Sequence, residues 1–310
     1  MQLPGIHRFS LTLPEPFDFA LTVAKPAGWH WSTPREVHED GILWTGLYLG
    51  DVSLGLRLSA EGTTVQATVY GESPLSGDQA GLLRRRVWTA LGGDEELAGF
   101  YRFARRDPIL SVVVEHLHGM RTGMAGDVFG DVILAILLQM APMARSMKMM
   151  DDLLERYGRR LAFDGREVVL WPRPEELAGV DPQELRRNAK IGYRAERLVA
   201  AARYLSGHPL PPEELFSLPE KEAIRRLTEI PGVGPYSAGI ILGTLPLDVW
   251  SVVIFSELFL GRTPKNPRAE IDGVTGLLTK RWGKWRWFAF VYVLQDLPYL
   301  KEAYHISRVT

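Results

Sequence analysis

Apolar and polar positions alternate along short runs in the first seventy residues of the chain. The runs are rich in β-branched and aromatic residues and are separated by Gly, Pro and Asp, which is typical of strands joined by turns. Ala60–Glu61–Gly62 has the composition of a hairpin turn. We therefore expect an antiparallel sheet of about five strands. The predicted strands are 7–13, 17–25, 42–49, 54–59 and 64–70.

Near residue 72 the apolar positions change to helical spacing. Asp127 is the expected N-cap of a helix that runs to Met140. Asp107 and Pro108 are the expected N-cap and first residue of another helix. Pro142 interrupts the pattern, and a short extended stretch is expected at 168–171. Further helices are predicted at 81–91, 95–103, 147–157, 174–177, 182–188, 195–205, 212–216, 220–229, 236–245 and 249–260. The fold class is therefore α+β, with a β-rich domain at 1–107 and a helical region at 108–310.

The stretch 236–260 contains only two charged residues, Asp248 and Glu257, and resembles a membrane span in length. Pro246 and Asp248 lie near its middle, where proline breaks a helix and a carboxylate is costly in lipid. Two buried helices joined by a turn are expected instead. The N-terminus has no basic patch followed by an apolar core, so we expect no secretory signal and a cytoplasmic location.

Charge and composition narrow the function classes. The 310 residues carry 36 Lys and Arg against 37 Asp and Glu, so no global field attracts a polyanion, which would need a local patch. Two basic segments, 186–203 and 280–286, offer such patches. The absence of cysteine excludes disulfides, a thiolate nucleophile, a zinc finger and a cysteine-ligated iron–sulfur cluster.

The segment 227–238 places the sequence Pro-Gly-Val-Gly between two helical patterns. Gly232 and Gly234 permit positive φ and leave backbone N–H groups uncovered, while the helix that starts near Pro235 adds the positive end of its dipole. Such a turn can hold an anion such as phosphate. Taken alone, Gly-x-Gly in a turn is more typical of plain turn chemistry than of an anion site.

Ordered motifs around this turn carry a resemblance to a known family. Segments 230–238 and 246–250 resemble the helix–hairpin–helix, the Gly/Pro-rich loop and the aspartate of the HhH-GPD superfamily of DNA base-excision glycosylases. Segment 127–139 resembles the first core helix of that family, 188–195 its G-Y-R-A segment and 282–287 its closing helix. The predicted sheet is similar to the TATA-binding-protein-like domain of the 3-methyladenine (AlkA-type) and 8-oxoguanine branches.

The resemblance implies roles for two residues that follow the turn. Asp248 would be the catalytic carboxylate that stabilises positive charge on the sugar and aligns water, while also serving as an N-cap. Tyr236 occupies the position of the Schiff-base lysine of bifunctional members, and a phenol cannot form that imine, so monofunctional hydrolysis is expected. Twelve residues separate Tyr236 from Asp248, fewer than in most members, so the intervening helix should be short.

The resemblance also implies binding residues. The partner would be double-stranded DNA with a damaged base, bound by a monomer associated with the nucleoid. The base pocket would contain Tyr236, Trp250 and Trp285, with Tyr236 either packing on the flipped nucleotide or filling the core. DNA contacts are expected from Gly232, Val233, Gly234, Tyr193, Arg194 and Gln139, with Pro142 or Met143 as the wedge. A structural sodium or potassium ion could bind the carbonyl groups of Ile230 and Gly232, and no iron–sulfur cluster or other cofactor is expected.

The substrate class depends on one alignment. The resemblance aligns Ala289 with a glutamine that the 8-oxoguanine enzymes share. The absence of that glutamine here favours alkylated purines as the excised bases. Two alternatives remain open. One is a glycosylase for another lesion, such as 8-oxoguanine or a deaminated or mismatched base, and the other is a catalytically silent protein that uses the hairpin only to bind DNA.

Overall fold

The computed structural model describes residues 2–25, 29–124 and 127–306. The chain divides into two compact units, which we describe separately. Unit 1 contains Met1–Glu95 and Gly119–Val233, and unit 2 contains Glu96–His118 and Gly234–Thr310. The proposed domain boundary at residue 107 stays a prediction.

The N-terminal part of unit 1 forms the expected antiparallel sheet. Its strands are β1 (Gly5–Thr12), β2 (Val37–Glu39), β3 (Ile42–Leu49), β4 (Val52–Glu61) and β5 (Thr64–Tyr70). Their order across the sheet is β1-β5-β4-β3-β2. Leu54, Leu56 and Leu58 of β4 are fully buried in the core of this sheet. The α+β class is thus confirmed.

One of the five predicted strands is wrong. Residues 17–25 contain a short helix, α1 (Phe19–Val23), because the Asp18 side chain accepts a hydrogen bond from the Leu21 N–H at 2.8 Å and acts as an N-cap. Phe19 and Val23, four residues apart, are both buried, so the apolar spacing also fits one helical turn. The fifth strand is β2, which has only three residues.

The remaining helices of unit 1 follow the sequence pattern closely. They are α2 (Gly77–Ala90), α5 (Val128–Leu138), α6 (Met143–Tyr157), α7 (Pro174–Ala178), α8 (Pro182–Ala189), α9 (Arg194–Gly207), α10 (Pro212–Leu215) and α11 (Glu220–Thr228). The side chain of Asp127 caps α5 by accepting from the Gly130 N–H. Helix α6 starts four residues before its predicted start at 147, because Pro142 is its N-cap rather than an interruption.

A second, two-stranded sheet contradicts the expectation that the region beyond residue 108 is all helical. Strands β6 (Arg159–Phe163) and β7 (Arg166–Leu170) pair in an antiparallel hairpin, and only β7 overlaps a predicted extended stretch. Asp164 and Gly165 both have positive φ, which an Asp-Gly hairpin turn requires. The apolar side chains of the hairpin pack with Trp44 in a separate cluster.

Unit 2 is helical in its described residues. Its helices are α3 (Leu97–Ala104), α4 (Pro108–His116), α12 (Pro235–Ile241), α13 (Val249–Leu260), α14 (Pro267–Trp282), a 3₁₀ turn at Gly283–Trp285, α15 (Arg286–Gln295) and α16 (Leu297–Ala303). In its core, Trp282 meets the edges of Phe255 and Phe259, with ring centroids 5.7 and 4.9 Å apart. The apolar stretch 236–260 is divided between α12 and α13, as expected. Within the described residues, no helix has the length and apolar character to cross a membrane.

A carboxylate inside unit 1 organises the loop before β2. Glu36 accepts hydrogen bonds from the Trp31 and Ser32 N–H groups at 2.8 and 3.1 Å, and from the Thr45 hydroxyl at 3.0 Å. Burial raises the pKa of Glu36 to about 7, while these hydrogen bonds and the charge of Lys25 oppose the rise. In the folded protein the protonated form of Glu36 is therefore favoured below about pH 7.

Glu36→Gln should reveal this proton in a pH series. Between pH 4.5 and 7 the unfolded carboxyl ionises while the folded one keeps its proton, so the wild type loses stability as the pH rises. The stability of the wild type relative to Glu36→Gln should fall by about 2 kcal/mol across this range. Urea unfolding at five pH values measures the difference, and a constant difference would contradict the prediction.

Candidate functional site

The segment between α11 and α12 forms the predicted tight turn. The Val233 N–H donates to the Ile230 carbonyl at 3.0 Å, which closes the turn. Gly232 has φ of +88°, and a Cβ there would come within 3.0 Å of the Arg197 Cβ, so the position needs glycine. Gly234 has extended backbone and precedes α12 as its N-cap. The turn thus presents backbone rather than side chains.

Gln139 connects the end of α5 to this turn. Its Nε2 donates to the Gly232 carbonyl at 2.9 Å, and Arg197 donates to its Oε1. Arg194 donates to the Gln139 backbone carbonyl and is only 7% exposed. The Gln139 side chain therefore bonds to the protein's own turn, and its contact with DNA stays a prediction. Arg194 also points to protein rather than to solvent.

Tyr193 is the exposed member of the G-Y-R-A segment. Its ring is 43% exposed. The guanidinium groups of Arg194 and Arg197 lie 4.6 and 4.8 Å from the ring centroid, within cation–π distance. Tyr193 thus offers an aromatic surface beside two cations.

The loop between α5 and α6 exposes a residue that the sequence reasoning passed over. Met140 is 81% exposed and has φ of +51°, whereas Pro142 caps α6 and Met143 starts that helix half-buried. Met140 thus has the exposed, flexible apolar side chain that a wedge needs, and the choice of Pro142 or Met143 stays a prediction. The position of Met140 at the end of the predicted helix was the available signal.

Several basic side chains of the two segments already bind other groups of the protein. Arg186 pairs with Glu196 at 2.6 Å, and Arg203 donates to the Ala178 carbonyl at 2.9 Å. In the second segment Arg281 pairs with Asp107, and Lys284 with Glu96. The pairs Arg186–Glu196 and Lys284–Glu96 are exposed and therefore weak, whereas the Asp107 carboxylate of the Arg281 pair is buried.

Asp248 is the N-cap of α13, as its sequence position predicted. Its Oδ1 accepts from the Trp250 N–H at 3.1 Å, and from the Ser251 N–H and hydroxyl at 2.7 Å each. The side chain is half-buried, and the neighbouring Val249 and Trp250 are 45% and 39% exposed. The carboxylate is thus oriented by the first turn of the helix and remains accessible.

Tyr236 lies near this carboxylate. Burial raises the pKa of the Tyr236 phenol, and the charge of Asp248 raises it further. The two side chains are therefore close enough to interact electrostatically. Helix α12 has seven residues and ends at Ile241, so the short connection predicted from the twelve-residue spacing is present.

The other aromatic candidates have different surroundings. Trp250 is exposed beside Asp248. Trp285 packs against Phe100 and Phe288, with ring centroids 6.0 and 5.8 Å apart, and Lys284 Nζ lies 4.3 Å from its ring centroid. These contacts place Trp285 in an aromatic cluster at the surface of unit 2, while Trp282 is core.

Ala289 lies in α15, and Asp296 directly follows this helix. Ala289 is fully buried in α15. Asp296 pairs with His116, with Oδ2 and Nδ1 2.9 Å apart. Burial raises the pKa of Asp296, and His116 opposes the rise. Asp296 is thus the partner of a histidine on α4.

The carbonyl groups considered for a monovalent ion already have one donor each. The Ile230 oxygen accepts from Val233 and the Gly232 oxygen from Gln139. A carbonyl oxygen has two lone pairs, so each retains the capacity for one cation contact. The donor chemistry therefore fits a sodium or potassium ion.

Comparisons with known proteins agree with this arrangement. No family model matches the chain. The DNA-3-methyladenine glycosylase of Bacillus subtilis is 23% identical over 211 residues, 66% of this chain and 68% of that protein. The structure of the 3-methyladenine DNA-glycosylase from Archaeoglobus fulgidus matches with a TM-score of 0.75 at 19% identity, covering 94% of this chain and 99% of that one. The resemblance to the HhH-GPD glycosylases is confirmed.

A second solved structure shares the fold of this chain. The 8-oxoguanine glycosylase/lyase of Clostridium acetobutylicum, in complex with double-stranded DNA that contains cytosine opposite 8-oxoguanine, matches with a TM-score of 0.67 at 16% identity, over 98% of this chain and 99% of that one. The five-stranded sheet followed by a mainly helical chain is thus the fold shared by both glycosylase branches.

Proposed function

We propose that the protein is a monofunctional DNA N-glycosylase that removes alkylated purines from duplex DNA in base excision repair. The observation that carries the proposal is the accessible Asp248 carboxylate, which the first turn of α13 orients. Tyr236 stands in the sequence position where bifunctional members have lysine. The glycosylases with which the chain aligns support the same reaction class.

The chemistry follows from the charge that develops in the reaction. Breaking an N-glycosidic bond leaves positive charge on the sugar, which a fixed carboxylate stabilises. The backbone N–H groups of Trp250 and Ser251 hold Oδ1 of Asp248 before substrate arrives, so little reorganisation is needed. A water molecule aligned by the same carboxylate then adds to the sugar. Alkylated purines already carry positive charge and leave readily, so this single carboxylate suffices.

Tyr236 determines the product in this proposal. A lysine amine could attack the sugar, form an imine and allow strand cleavage. The Tyr236 phenol cannot form an imine, and its raised pKa keeps it protonated. The product is therefore an abasic site in an intact strand.

A panel of duplexes tests the proposal. Each contains one of 3-methyladenine, 7-methylguanine, hypoxanthine, uracil or 8-oxoguanine, and cleavage is measured with and without alkali. We expect release of the two methylated bases and strand breaks only after alkali. Breaks without alkali, with a protein–DNA adduct trapped by borohydride, would contradict the monofunctional reaction. Release of 8-oxoguanine alone would contradict the substrate class, and DNA binding without any release would favour the silent protein.

DNA binding in this proposal uses the turn at Gly232 and the surface around Tyr193. We propose that a sodium or potassium ion at the Ile230 and Gly232 carbonyls supports the turn when DNA phosphate binds. Binding of an undamaged duplex should weaken as salt increases, because phosphate contacts release counterions. Fluorescence anisotropy in lithium, sodium and potassium chloride measures both effects.

Met140→Gly tests the wedge. We expect kcat/KM on a damaged duplex to fall about tenfold, because the gap left by the flipped base is no longer filled, while single-stranded substrate is little affected. Stability should not decrease, since glycine accepts the positive φ of position 140. Met147→Ala is the matched control, because Met147 is also exposed, at 45%, but lies on α6. Equal losses in both variants would contradict the wedge role.

A further inference from the structure

The hydrogen bonds of Asp248 are unequally divided between its two carboxylate oxygens. Oδ1 accepts three, from the Trp250 N–H and from the N–H and hydroxyl of Ser251. Within residues 2–25, 29–124 and 127–306, Oδ2 has no hydrogen-bond partner. The carboxylate therefore has one bound oxygen and one open oxygen.

The Ser251 hydroxyl contacts Asp248 at three atoms, of which the backbone carbonyl oxygen is the farthest, at 3.4 Å. It accepts the Asp248 N–H at 2.7 Å and can donate its single proton to Oδ1 at 2.7 Å. Ser251 is 3% exposed, so solvent does not compete for these bonds. The hydroxyl thereby connects the backbone and the carboxylate of Asp248 and restricts rotation of the side chain.

Capping alone does not require this second bond. Oδ1 already accepts the Trp250 and Ser251 N–H groups, which satisfies the donors at the start of α13. A hydroxyl donor to a charged oxygen adds a stronger, charge-assisted bond that acts on carboxylate orientation. Its chemical use is therefore to hold the group on which the proposed reaction depends.

We propose that Ser251 is a positioning residue that binds Oδ1 of Asp248 and leaves Oδ2 as the oxygen that faces the sugar and its attacking water. This inference rests on the proposed glycosylase function. Ser251 does not touch the substrate, and it acts through the orientation of Asp248.

Ser251→Ala, Ser251→Thr and a matched serine control test the inference. We expect Ser251→Ala to lower single-turnover kcat on a 7-methylguanine duplex at least about tenfold with KM unchanged, as for loss of a bond to a charged group. Ser251→Thr keeps a hydroxyl and should recover most of kcat. Ser256→Ala is the control, because Ser256 lies on the same helix, is fully buried and has an Oγ without a hydrogen-bond partner among the described residues. It should match the wild type.

A double-mutant cycle separates positioning from folding. If Ser251 acts through Asp248, adding Ser251→Ala to Asp248→Asn should lower the residual kcat no further. A further tenfold loss in that background, or full activity of Ser251→Ala alone, would overturn the inference. Absence of base release by the wild type would instead reject the proposed function, and this inference with it.

Discussion

Asp248→Asn should lower kcat for release of 7-methylguanine by at least about a hundredfold and leave the melting temperature within a few degrees of the wild type. Asparagine is as good an N-cap as aspartate, so its oxygen can still accept the Trp250 and Ser251 N–H groups. It has no negative charge to stabilise the sugar, and removal of such a group typically costs about a hundredfold or more. Single-turnover kinetics and thermal melting measure the two effects.

The matched control is Asp181→Asn. Asp181 caps α8 by accepting from the Gln183 N–H at 3.0 Å, and it is not one of the candidate site residues. This variant should keep full activity and stability. If Asp248→Asn were equally active, Asp248 would be a cap alone and the proposed mechanism would be wrong.

Arg121→Met should destabilise unit 1 by about 3 kcal/mol or more. Arg121 is 1% exposed, and its Nη1 donates to the Gly92 and Glu95 carbonyls at 2.6 and 3.1 Å. Its Nη2 donates to the Pro14 and Pro16 carbonyls at 2.7 and 3.2 Å. Methionine fills similar volume but leaves the Glu95, Pro14 and Pro16 carbonyl groups without this donor, while the Gly92 carbonyl keeps the Glu95 N–H. Each unsatisfied group costs about 1 kcal/mol or more. Urea unfolding followed by circular dichroism measures the loss.

Arg225→Met controls for the change in charge. Arg225 pairs with Glu222 and Glu229 on the exposed surface of α11, where ion pairs contribute little. We expect it to cost less than about 1 kcal/mol. Similar values for the two variants would show that the buried carbonyl contacts of Arg121 do not stabilise the fold.

The reliable sequence predictions rest on local physics. Asp127 and Asp248 cap the helices that follow them, because a capping bond joins residues two or three positions apart. The α+β class and the resemblance to the HhH-GPD glycosylases, both confirmed, come from motifs in sequence order. The wrong strand at 17–25 and the missed strand β6 are short segments, where apolar spacing fits helix and strand equally well.

Tertiary structure alone decided which candidate side chains are accessible. The sequence identified Gln139 and the loop that follows it, but the bond from Gln139 to Gly232 joins residues 93 positions apart. That bond turns Gln139 inward, while Met140 is left exposed with positive φ. The N-cap role of Asp248 could thus be predicted from local sequence, since its capping bonds join residues two and three positions apart. The contacts of Gln139 and the exposure of Met140 could not, because they depend on segments that meet only in the folded chain.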